Sequence, residues 1–212
     1  DGVVSITQDG GQTWSNVTPK KMPKGGRVES IEPSQFDPAK AYISVDSHLL
    51  GDATPYFYKT ADYGKSWELI STTTNGIPSD YTAKVLREDP ETAGLLYAGT
   101  EYGMFVSLDD GKQWKSFQQN LPVTPITDII IKRGDLVLST MGRGFWVLDN
   151  ITSLRNTDIA TLSDTPVLFK PDNTIRYRTP RRAKGFPDYP TTGVLIDYYL
   201  PKEFRSEVQL EI

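Results

Sequence analysis

The stretch TADYGKSW, residues 60–67, carries Thr60, Asp62, Gly64 and Trp67 at fixed offsets. The same spacing recurs as TQDGGQTW, residues 7–14, with Thr7, Asp9, Gly11 and Trp14, and as SLDDGKQW, residues 107–114, with Ser107, Asp109, Gly111 and Trp114. All three fit Ser/Thr-x-Asp-x-Gly-x-x-Trp. Every fixed position has a use in a turn. Glycine supplies a positive φ, the carboxylate accepts backbone N–H groups, the hydroxyl adds a local bond, and the indole enters the apolar layer beneath. A catalytic reading would need three equivalent active sites, so the motif reads as structure. Gly64-Lys65-Ser66 is also not a phosphate loop, because Lys59 stands where the first glycine is required and no helix follows.

Short strand-like runs flank each copy. Val3–Ile6, Tyr56–Lys59 and Met104–Val106 precede the turns, and Trp14–Val17, Trp67–Ile70 and Trp114–Phe117 follow them. Each turn therefore closes a β-hairpin. Two further strands per unit lie upstream, at 27–31 with 41–45 and at 83–87 with 95–98, joined at Asp37-Pro38 and Asp89-Pro90. The motif aspartates are 53 and 47 residues apart, close to the roughly 40 to 50 residues of one four-stranded propeller blade. A fourth unit runs through 126–132, 136–140 and 144–148, with its turn reduced to Leu148-Asp149-Asn150. Long helical periodicity is absent, so the fold class is all-β: a partial β-propeller of about four four-stranded blades over 1–151. A connector follows at 152–165. Residues 166–212, with strand-like runs at 166–169, 174–178, 193–199 and 207–212, read as the start of a β-sandwich.

The 212 residues carry a net charge of −4 and no cysteine. Apart from Arg181-Arg182 there is no basic cluster, which argues against nucleic acid and anionic membrane as partners. With no cysteine and a single histidine, neither disulfides nor a zinc-type centre can be built, and no metal or cofactor is expected. No run is long and apolar enough to span a bilayer. The chain opens on Asp1 without an initiator methionine, which reads as a processed or truncated product. Asn16-Val17-Thr18 and Asn150-Ile151-Thr152 fit the N-glycosylation pattern.

The three motifs resemble the Asp-boxes, or BNR repeats, of sialidases, xyloglucanase-type glycoside hydrolases and sortilin-type propellers. The stretches IEPSQFDPAKAYISVD (31–46), VLREDPETAGLLYAGTEYGMFVSLDDGKQW (85–114) and DLVLSTMGRGFWVLDNI (135–151) resemble large, mostly bacterial BNR-repeat glycosyl hydrolase or sortilin-like proteins. In these, tandem propellers precede an immunoglobulin-like domain, whose opening GVLIDYYL (193–200) resembles. The resemblance implies the C-terminal part of a larger secreted, periplasmic or cell-surface protein. It also implies that the remaining blades come from the same protein or from another chain.

In a meander blade the motif turns and the second-to-third-strand connections emerge on opposite faces. The latter hold Asp46, His48 and Asp52, then Glu101 and Tyr102, then Arg143 between two glycines. These are the candidate ligand-binding residues. Arg143 leads because flanking glycines let backbone approach a ligand. In the resembling group histidine often stands at the position of Met141. His48 reads more readily as an incidental surface residue than as a base or ligand. Asp46, Asp52, Glu101 and Asp128 could supply paired acids, and sequence alone does not pair them. Two functions stay open: a binding or assembly module for carbohydrate or protein, and part of a glycoside hydrolase whose catalytic carboxylates lie mostly outside this segment.

Overall fold

A computed structural model describes residues 2–156, 165–174, 193–201 and 203–211. The chain forms two compact units, 1–148 and 149–212. In the first, β1 (Ser5–Ile6) and β2 (Ser15–Asn16) form a hairpin. Two four-stranded antiparallel meanders follow. One is β3 (Arg27–Pro33), β4 (Ala41–Ser47), β5 (Asp52–Thr60) and β6 (Glu68–Leu69). The other is β7 (Ala83–Glu88), β8 (Leu96–Thr100), β9 (Met104–Ser107) and β10 (Lys115–Ser116). The fourth sheet has three strands: β11 (Ile126–Lys132), β12 (Asp135–Thr140) and β13 (Phe145–Leu148). Two of the four expected blades are therefore complete. The fourth lacks its last strand among the described residues, because the degenerate turn at Leu148-Asp149-Asn150 leads into a helical turn, α1 (Thr152–Arg155), where an irregular connector is expected from the sequence.

The motif turns bond internally as their composition requires. Thr60 Oγ1 donates to Asp62 Oδ1 at 2.9 Å and accepts the Gly64 N–H at 2.9 Å, while Asp62 accepts the Ser66 N–H and hydroxyl at 2.9 and 2.6 Å. The turns at 7–14 and 107–114 repeat this, the latter without the hydroxyl bond. They also fasten each sheet to the one before it. Trp67 Nε1 donates to Val17 O at 2.6 Å, and Trp114 Nε1 donates to Ile70 O at 2.7 Å. Each acceptor lies three residues beyond the preceding motif tryptophan. Gly64 and Gly111, at φ 80° and 84°, press on those same residues: a Cβ would come within 2.6 Å of Val17 and 2.8 Å of Ile70. Among the described residues no sheet precedes the first copy. Gly11 faces open space, and Trp14 is 63% exposed and bonds only to its own turn at Gly11 O. The expectation that every motif indole is buried therefore fails at Trp14, half-holds at Trp67 and holds at Trp114, which is 4% exposed.

Sheets stack face to face, with β7 packed against β3 and β4 of the preceding sheet and against β11 of the following one. Tyr42 and Phe57 of one sheet meet Leu86, Ala98, Phe105 and Trp114 of the next. This removes bulky aromatic surface from water, the dominant stabilising term. A polar lock closes the outer edge: the Tyr42 hydroxyl lies 2.6 Å from Asp110 Oδ1 and 3.1 Å from Glu88 Oε1, and Lys40 pairs with Asp110 at 2.8 Å. Burial and these carboxylates push the Tyr42 phenol well above its ordinary range.

In the second unit β14 (Val167–Leu168) pairs antiparallel with β15 (Tyr198–Tyr199). Residues 207–211 form no strand. The expected strand at 174–178 lies, beyond Thr174, outside the described residues, as do Arg181-Arg182, Ile212 and most of the connector. The described residues of this unit thus form one short ladder rather than a second layer.

Candidate functional site

Each first strand carries one β-bulge near its start, at Glu29, Lys84 and Thr127. A bulge re-aims a side chain, and at Lys84 it sends the ammonium toward the second-to-third-strand connections. Lys84 Nζ lies 2.9 Å from Asp46 Oδ2 and 2.9 Å from Glu101 Oε2. The other oxygen of Asp46 accepts the His48 N–H at 2.8 Å and faces His48 Nδ1 at 2.6 Å. Asp46 is buried. Burial alone would raise its pKa, but the His48 and Lys84 bonds outweigh that and hold the carboxyl below the usual range. The structure thus brings together Asp46, His48 and Glu101. The organiser, Lys84, was missed from sequence. Its signal was a charged residue inside the apolar run Ala83–Leu86.

Tyr102 stands beside this cluster. It is 44% exposed, and its ring is set edge-on against Tyr81 at 5.0 Å, which in turn meets Phe105 at 5.8 Å. The arrangement is a rigid aromatic shelf bordered by an ion triad. Asp52 sits apart, taken up by the Tyr56 hydroxyl at 2.7 Å. Asp128 pairs with Arg87 at 2.7 Å. Arg143 is exposed at the β12–β13 turn and makes no ion pair among the described residues, and its carbonyl accepts the Trp146 indole N–H at 3.1 Å. Met141 N–H bonds Pro125 O as Glu101 N–H bonds Thr82 O, so Met141 occupies in the fourth sheet the place Glu101 holds in the third. No cluster of metal-ligating side chains occurs among the described residues.

One face of the fourth sheet carries exposed apolar side chains. Phe57, Met104 and Phe145 are equivalent, pairing with Ser44, Gly99 and Ser139 across their ladders. The first two are 0% and 1% exposed beneath the next sheet, and Phe145 is 80% exposed. Ile130 and Val147 are exposed with it.

No family model matches the chain, and no curated protein matches it. Solved structures do. A GH74 xyloglucanase from Xanthomonas campestris aligns over 69% of this chain at 16% identity with a TM-score of 0.53. YCF48 bound to D1 peptide aligns over 69% at 20% identity with a TM-score of 0.50. The chain spans 24% and 43% of those two chains. Among the described residues no helix is long and apolar enough to cross a membrane. The likeness extends to the fold: residues 2–148 are consecutive blades of a β-propeller.

Proposed function

We propose that this chain is a binding and assembly module of an extracytoplasmic Asp-box propeller protein. The loops around Glu101, Tyr102, His48 and Arg143 receive a carbohydrate or protein ligand, and the exposed blade faces at Phe145 and Trp14 are covered by further blades. The observation that carries the binding reading is Lys84. An ammonium wedged between Asp46 and Glu101 engages the two acids nearest the aromatic shelf, so neither stands ready as a proton donor. What remains accessible is a rigid tyrosine and a free arginine, groups suited to recognition. The two structural neighbours named above support both ligand classes, one being a xyloglucanase and the other bound to a peptide.

A second reading has one observation in its favour. Because both carboxylates touch the same ammonium, they approach within about 6 Å, near the separation used by retaining glycosidases. Glycan and peptide arrays, run beside a polysaccharide hydrolysis screen, separate the two. Array binding lost in Tyr102→Ala, without turnover, supports the module. Turnover abolished by Glu101→Gln supports the hydrolase and removes the first reading.

A further inference from the structure

We propose that the groove between the outer strands of the first hairpin and of the β3–β6 sheet binds an acidic polysaccharide, a uronate-bearing chain. The groove has a volume of about 970 Å³, at the upper end of ordinary ligand sites. It extends from the motif turn at Lys65 to Lys21 and shares no lining residue with the loop cluster around Lys84. One wall is the segment after β2, and the other carries Tyr56, Trp67 and Glu68.

Its charge is one-sided. Lys20, Lys21 and Lys65 are exposed and form no ion pair among the described residues, although the whole chain is net negative. The acid on the rim, Glu68, is met by Lys59 at 3.2 Å. Three unpaired ammonium groups along one groove attract a ligand with several carboxylates.

The aromatic wall is already rigid. Trp67 is held by its indole bond to Val17 O at 2.6 Å. Tyr56 is stacked on Tyr58 with ring centroids 6.2 Å apart, and its hydroxyl is fixed by Asp52 at 2.7 Å. Half-buried rings that need no ordering suit the C–H face of a sugar ring. A uronate presents that face and a carboxylate on the same residue. An acidic peptide fits less well, because strand addition needs a backbone edge and the two edges here, β2 and β6, are two residues long.

The test is affinity electrophoresis and calorimetry of the full chain at low salt with polygalacturonate, with dextran as neutral control and poly-glutamate as acidic-peptide control. Polygalacturonate is expected to retard the protein, and salt to weaken the interaction. Replacing Lys20, Lys21 and Lys65 together by Ala is expected to lower affinity about tenfold, the combined effect of three exposed ion pairs. Trp67→Phe, which keeps an aromatic ring, is expected to weaken polygalacturonate binding more than poly-glutamate binding. Because the lysines are exposed, the triple variant keeps its fold. Absence of retardation, unchanged affinity in the triple variant, or equal binding of poly-glutamate would each overturn the proposal. Its failure would leave the loop-face reading intact, since Tyr102 and Glu101 take no part.

Discussion

Replacing each motif tryptophan by alanine separates a local turn from a fastening between blades. Trp114 is 4% exposed and donates to Ile70 O at 2.7 Å. A buried indole removes roughly 200 Å² from water, about 5 kcal/mol at ~25 cal/mol per Å². Truncation also removes one of the two hydrogen bonds to the Ile70 carbonyl, which keeps its bond from Asn75 Nδ2 at 2.8 Å, so this loss adds about 1 kcal/mol. Partial collapse offsets some of this, so Trp114→Ala is expected to cost about 4 kcal/mol. Trp14 has the same motif around it, but at 63% exposure it withholds little more than a third of that area, so Trp14→Ala is expected to cost about 2 kcal/mol at most. Urea unfolding followed by far-ultraviolet circular dichroism measures both, provided the slope with denaturant is unchanged. Equal costs at the two positions would refute the reasoning, because they would place the indole's contribution inside its own turn.

Other expected outcomes follow from the same contacts. Gly11→Ala should cost about 1 kcal/mol from its positive φ alone, whereas Gly64→Ala and Gly111→Ala should cost about 1 to 3 kcal/mol more from collision with Val17 and Ile70, as read by urea midpoints. The Ser66 hydroxyl first, with backbone and Thr60 bonds, holds the Asp62 carboxyl at about 2, and Thr13 first does the same for Asp9. Their folded values lie below the unfolded value of about 3.9, so this stabilisation is full above pH 4 and disappears as pH falls through 2. The melting temperature should therefore fall less steeply between pH 4 and pH 2 in Asp62→Asn than in the parent. Lys84→Met should leave the buried Asp46 carboxylate without its main counter-charge and cost about 3 kcal/mol at neutral pH. A loss below 1 kcal/mol in urea unfolding would mean that the triad is solvated.

The blades were legible because their signals are short and local. Thr60, Asp62, Gly64 and Ser66 satisfy each other within seven residues, and the alternation at 126–132 and 136–140 needs no partner to be read. What Trp67 and Gly64 touch lies some fifty residues upstream, at Val17, so the fastening between sheets could not be read from the motif itself. The loop face was found by topology, and His48, Asp46 and Glu101 do converge there. Lys84 escaped because strand alternation gives it an ordinary outward position, and a bulge redirects it. The run at 207–211 has the composition of a strand but no ladder among the described residues, since pairing depends on a neighbour that propensity does not supply.

The central claim, recognition at the loop face without catalysis, is tested most directly by following the fate of a ligand retained by the full chain. The ligand should be recovered with unchanged mass after prolonged incubation, and Tyr102→Ala or Arg143→Ala should weaken its binding at least tenfold. Recovery of a cleaved ligand, with cleavage abolished by Glu101→Gln, would contradict the account.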